Sequence, residues 1–293
     1  MASDQSERDA SSLPVPAPDR QCERFSSKDG DIAVFRSVDG VLFNVHRINL
    51  RVVTDGPFAE DFPASDGEII DLTEDAETLE TLFTFVYSGR HPTLADIPFD
   101  RLAKLAEAAE KYGVAPARNI CLVRMTLHFA EEPLRTLAYA YKHDYPDLLN
   151  ACAPLTIGTS IDTAGDILPP LLYIPWTRYD DDWMTMILKL SAIFFADKVK
   201  FIHNNDSCAV RNEILSTIYL VLCRRKAALL NELDDIATRL KEIGKNCAAI
   251  YREMPRETEC QAIARLWVEE LQQNIDSRAP FSSFLVRQPA VVQ

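Results

Sequence analysis

Between Asp31 and Val45 the apolar positions step by two: Ile32 and Val34, then, across Asp39-Gly40, Val41, Phe43 and Val45. That period predicts two strands sharing a half-buried face, and an Asp-Gly pair between alternating runs is a strong hairpin signal. A short helix is predicted from His46 to Thr54, stopped by Asp55-Gly56-Pro57. Glu68 to Leu72 predicts another short strand. The period then lengthens to that of a helix. Leu79, Leu82, Phe83 and Val86 stand at i, i+3, i+4 and i+7 behind Thr73-Glu-Asp, which offers a cap and first-turn acids, and the run closes at Gly89. Leu102, Leu105, Ala106 and Ala109 repeat the pattern up to Gly113, and a further helix from about Pro116 to His128 carries Ile120, Val123 and Leu127.

Beyond Ala130 the pattern is helical throughout. Pro133 and Pro146 suit helix first turns, and Pro154 ends the second of these helices. Residues 153–182, with Pro154, Pro169, Pro170 and Pro175, read as an irregular connection, and several helices follow from Trp183. In one of them Leu229, Leu233, Ile236, Leu240, Ile243, Cys247 and Ile250 alternate spacings of four and three. Leu230, Ala237, Gly244 and Tyr251 widen that stripe towards a core-facing bundle helix, with a dimerising coiled coil as the alternative. Residues 1–24 are rich in Ser, Pro, Asp and Ala without periodicity and read as a disordered arm. The expected organisation is an α+β domain over 25–130 and an all-α domain over 131–293.

Composition narrows the function. A formal net charge of −13 argues against a nucleic-acid backbone binder. The most apolar window, Met184 to Phe195, is broken by Lys189, so no membrane span is expected, and the N-terminus has no secretory pattern. Seven scattered Cys fit reduced thiols, hence a cytoplasmic or nuclear protein. The acidity is also local: Val52 to Gly89 holds ten acids and no Lys or Arg. Such a run is either a solvated face with acids at a helix start or a docking surface for a basic partner.

Catalytic motifs are missing. There is no nucleotide loop, zincin helix or Gly-x-Ser-x-Gly elbow, and Gly158-Thr-Ser160-Ile-Asp162 lacks the second Gly. His46 could serve as a base oriented by Asp31 or Asp39, or stand as an architectural residue at a helix start. His203, Cys208, Cys247 and Cys260 could supply four soft ligands, yet a structural zinc site uses close pairs such as Cys-x-x-Cys and Cys260, with Glu257 and Ile263 at those spacings, has no near partner, so core thiols are expected. No catalytic, cofactor or metal residue is therefore assigned; an enzyme or metal site in the helical region is the last alternative. Trp176, Tyr179 and Trp183 form an aromatic cluster that either glues the helices together or, if exposed, is an interaction hot spot.

Asp31-Ile32, then Phe43-Asn-Val-His46-Arg47-Ile-Asn-Leu50, Thr54, Phe58 and Phe62 resemble the strand-to-helix core of the BTB/POZ domains. Thr54 stands where Ser is commoner. Leu82-Phe83-Thr-Phe85-Val86-Tyr87-Ser88-Gly89 is similar to the family's helix ending in Tyr-Thr-Gly, and Leu102 to Val114 to the one ending in Ala-Asp-Lys-Tyr. Tyr139 to Leu148, Trp176 to Trp183 and Pro280 to Leu285 resemble fungal BTB proteins with a helical C-terminal extension. The resemblance implies a non-catalytic protein-interaction fold, commonly a homodimer built on the first helix and its surroundings, here Asp31, Arg47, His46, Leu50 and Phe58. Asp31 and Arg47 match a charged pair near that interface, which serves either the interface or the fold alone. The family's exchanged N-terminal strand has no counterpart in residues 1–24, so the expected dimer is not strand-swapped. Leu94 and Asp96 are an imperfect substitute for the apolar-x-Glu motif of cullin adaptors, which leaves a ubiquitin-ligase adaptor as the alternative. The expected partners are a second copy and another, unidentified protein bound by the helical region.

Overall fold

The hairpin forms where the period places it. A computed structural model of the chain describes residues 20–59, 68–195 and 259–285, with isolated positions at 213, 216–217, 237–240 and 242. Strand β2 (Ile32–Arg36) pairs antiparallel with β3 (Val41–His46) across Asp39-Gly40, and Gly40 takes a φ of +77°. The face of β2 is the reverse of that expected. Ala33 and Phe35 are buried opposite Val45 and Phe43, while Val34 and Ile32 oppose Asn44 and His46. All four residues Ile32 to Phe35 are apolar, so periodicity alone cannot choose the face; a one-residue change of register exchanges every side chain.

Four strands form one sheet in the order β1-β3-β2-β4. Strand β4 (Ile69–Asp71) lies parallel to β2, and β1 (Arg20–Gln21) lies parallel to β3. The expected arm thus joins the sheet before residue 24, through two residues too short to leave a periodic signal. The hairpin turn docks on the next helix, α2 (Ala76–Thr84): Asp39 Oδ1 accepts the Ala76 N–H at 2.8 Å, and Asp75, the N-cap, accepts the Thr78 N–H at 2.9 Å. Phe83 of α2 is the hub of the core, with the rings of Phe25, Phe35, Phe43 and Phe58 between 5.3 and 6.2 Å from its own.

Asp75 carries a pH signature. The Lys104 ammonium, 2.8 Å away, and then the Thr78 N–H hold its carboxyl down from 3.8 to about 2. A depressed carboxyl stabilises the fold fully above its unfolded value and loses that contribution as pH falls through its folded one. Acid unfolding should therefore steepen between about pH 4 and pH 2. Asp75→Ala should cost about 1–2 kcal/mol at neutral pH, mostly as a lost cap because the ion pair is solvent-screened. Urea midpoints of the two chains should converge at pH 2.

Helices α1 (Arg47–Val53), α3 (Phe99–Lys111) and α4 (Ala115–His128) complete the first unit, which divides from the second between Leu127 and His128. In α4 the expected inward face is corrected. Ala117, Cys121 and Met125 are buried, while Val123 and Leu127 are exposed. Burial holds the Cys121 thiol up at about 12, which keeps it a neutral, unreactive core group.

The second unit is helical in its described residues: α5 (Pro133–Lys142), α6 (Pro146–Cys152), a 3-10 turn (Ala153–Thr156), α7 (Ile161–Ile167), α8 (Pro170–Phe195), α9 (Glu259–Asp276) and α10 (Ser282–Leu285). The irregular connection expected over 153–182 is instead a turn and two helices. Pro170 opens α8 at a first-turn position, where its missing N–H costs nothing. Pro175 lies inside α8 and deprives the Leu171 carbonyl of its helical donor, but Leu171 is on the exposed side where water can serve. Leu240 of the heptad-like stretch is buried; the rest of that stretch, apart from 237–239 and 242, and His203, Cys208 and Cys247 lie outside the described residues, as does the Cys260 side chain.

Candidate functional site

Helix α1 is short and rich in β-branched residues, which are poor helix formers, so it depends on its ends. At its C-terminus the Thr54 N–H and hydroxyl both bond the Leu50 carbonyl, at 3.0 and 2.8 Å. At its start the Arg47 N–H bonds the Asp31 carbonyl at 2.9 Å, and the Arg47 guanidinium meets the Asp31 carboxylate at 3.2 Å. The expected Asp31–Arg47 pair is thus assembled. Arg47 is mostly covered while Asp31 is largely exposed, so the pair pins α1 to the entry of β2 and shows one carboxylate at the surface.

His46, the N-cap of α1, is held by Tyr87. The Tyr87 hydroxyl accepts the His46 backbone N–H at 3.2 Å and lies 2.8 Å from Nδ1, so it can donate there to a neutral imidazole protonated on Nε2. Burial raises the Tyr87 hydroxyl pKa, consistent with a neutral donor. Asp39 is engaged with α2 and Asp31 with Arg47, so neither orients His46 as a base.

Two of the expected interface residues are corrected. Leu50 is buried completely, and Phe58 is 2% exposed, stacked on Tyr112 with ring centroids 4.3 Å apart. Both are core of this chain and have no surface to offer a partner. The apolar surface of α1 belongs to residues that the sequence reading passed over: Ile48 is 66% and Val52 78% exposed. Their i, i+4 spacing, on the side away from Leu50, was the available signal.

The acid-only run is also revalued. Asp55 pairs with Arg118, Asp71 with Arg36, Glu74 with Lys111, Asp75 with Lys104 and Glu77 with Arg101, at 2.6 to 2.9 Å. The cations come from β2, α3 and α4. These five acids are neutralised within the chain, so they are not a ready surface for a basic partner; Glu60, Asp61 and Asp66 lie outside the described residues. In the loop after α2, Leu94 is buried at a φ of +53° and Asp96 is exposed. Both line an open groove of about 460 Å³ together with Arg24, Glu80, Ile97 and Arg101.

The aromatic cluster expected as glue or hot spot is buried among the helices. Trp176 is fully buried with its Nε1 donating to Thr156 Oγ1 at 2.8 Å, and Tyr179 and Trp183 are no more than 5% exposed. Among the described residues no group of three or more His, Cys, Asp or Glu could hold a metal, and no helix is long and apolar enough to cross a membrane. Compared with models of known protein families and with curated proteins, the chain matches none.

Proposed function

We propose that this chain is a non-catalytic protein-interaction module of the BTB/POZ type, which pairs with a second copy through the outer face of α1 while its helical unit binds another protein. The observation that carries the reading is the outward Ile48–Val52 pair on a helix whose inner residue, Leu50, is fully buried. Two copies meeting there would cover four such side chains, at about 1.5–3 kcal/mol each. That sum is of the same order as the cost of association, so contacts beyond these four side chains, such as those of Asp31, must supply the roughly 8 kcal/mol that a micromolar dimer needs. The in-chain pairing of β1 with β3 supports a dimer that exchanges no strand.

Ile48→Asp with Val52→Asp should abolish association and leave the thermal midpoint within a few degrees of wild type, because both positions are exposed. Light scattering of the two full-length chains reads the difference. A variant that keeps the mass of the parent sinks the proposed face. A cullin-type adaptor is the second reading, favoured by the groove at Leu94 and Asp96. Capture of a purified cullin by the full chain, lost on Asp96→Lys, would support it; no capture would remove it.

A further inference from the structure

The end of the described chain lies on the second unit in the manner of a bound peptide. Residues 278–285 follow α9 and contact α6 and α8 through alternate anchors. The Arg278 guanidinium pairs with the Asp182 carboxylate, bonds the Asp182 carbonyl at 3.1 Å and lies over the Trp183 ring at 5.6 Å. The Phe281 ring is 1% exposed and meets Tyr179 edge-on at 5.1 Å, with Phe284 edge-on to the same ring at 5.3 Å. Between the anchors the Ser282 N–H is taken by Asn150 Oδ1 at 2.9 Å. Ala279, Pro280 and Ser283 face solvent. Side chains at 278, 281 and 284 make the contacts, three of the four spacers are exposed, and one backbone N–H is read by an amide.

Both walls of this groove also have neighbours earlier in the chain. Helix α6 packs on α5, and α8 on α7, all upstream in the chain.

We propose that the α6/α8 groove is a peptide-docking site, occupied in the resting chain by its own residues 278–285. Its partner is a protein segment with the spacing Arg-x-x-Phe-x-x-Phe. Asp182 selects the arginine, Tyr179 and its surroundings the rings, and Asn150 the backbone. The resident segment sets a threshold: a partner docks only by displacing it. Such exchange follows from competition for one site and needs no change in the walls.

The test uses a fluorescent octapeptide, RAPFSSFL, titrated by anisotropy into the full-length wild-type chain and the full-length Arg278→Glu chain. Reversing the charge opposite Asp182 loosens the resident segment and leaves every groove residue in place. The variant should bind the peptide at least ten-fold more tightly than wild type, and RAPASSAL at least ten-fold more weakly than RAPFSSFL. Equal affinity of the two chains, or equal affinity of the two peptides, overturns the proposal. Should Arg278→Glu prove unfolded by circular dichroism, Phe284→Ala, which removes a part-exposed ring, gives the same comparison with the same two outcomes. Repeating the titration with the Ile48→Asp, Val52→Asp chain separates this site from the α1 face, since peptide affinity should not change there.

Discussion

Gly113→Val is expected to lower the thermal midpoint of the first unit by roughly 10 °C or more. Gly113 closes α3 at a φ of +65°, where a side chain costs about 1–2 kcal/mol. The space is worse than the angle. A Cβ there would stand 2.4 Å from the Gly56 nitrogen and 2.5 Å from Asp55 Oδ1, and one on Gly56 would stand 2.9 Å from the Tyr112 carbonyl. Two backbones touch with nothing between them, clamped by the Asp55 N–H bond to the Gly113 carbonyl at 3.0 Å and the Thr54–Val114 bridge. No side-chain rotation relieves a clash with backbone, so the loop after α1 and the α3–α4 junction must separate. Strain and lost contacts together should reach about 3 kcal/mol, and each kilocalorie moves the midpoint of a domain this size by about 4–8 °C. Gly89→Ala is the control: its φ is +145° but no atom lies within 4 Å, so only the conformational penalty of about 1 kcal/mol applies. Equal shifts for the two variants would refute the close-approach argument.

Phe58→Ala should be costlier still in a denaturant titration, by about 3–5 kcal/mol, the usual range for emptying a buried aromatic site. Phe58 stacks on Tyr112 and meets Phe35 at 5.0 Å, so removal leaves facing rings that cannot close the gap. The same substitution distinguishes core from interface. An interface residue would change native mass and spare the urea midpoint; a core residue does the opposite at concentrations where the chain is still folded.

The sequence was most legible where local chemistry and period agree. The Asp39-Gly40 turn, the stop at Asp55-Gly56-Pro57, the helix holding Leu79 to Phe83 and the starts at Pro133 and Pro146 all depend on neighbours within a few residues. Faces were harder. Ile32 to Phe35 offered apolar residues in both phases, and Phe35 took the core because its ring meets Phe83. In α4 the larger residues Val123 and Leu127 were expected inside, but Ala117, Cys121 and Met125 are the residues buried there. Proline misled between 153 and 182, since Pro170 starts a helix and Pro175 is carried within it. At the candidate site, Asp31 and Arg47 were found by resemblance and do meet. Leu50 and Phe58 were assigned to the interface by the same resemblance, which does not tell which neighbours in this chain cover them. The acid run looked open because its cations lie between 24 and 63 positions away in sequence, from Arg36 in β2 to Arg118 in α4.

The central claim is self-association through α1, and the native mass of the unmodified full-length chain tests it most directly. Light scattering at tens of micromolar should give twice the chain mass of 33.0 kDa, falling towards the single-chain value on dilution. A single-chain mass that persists across that range would contradict the account.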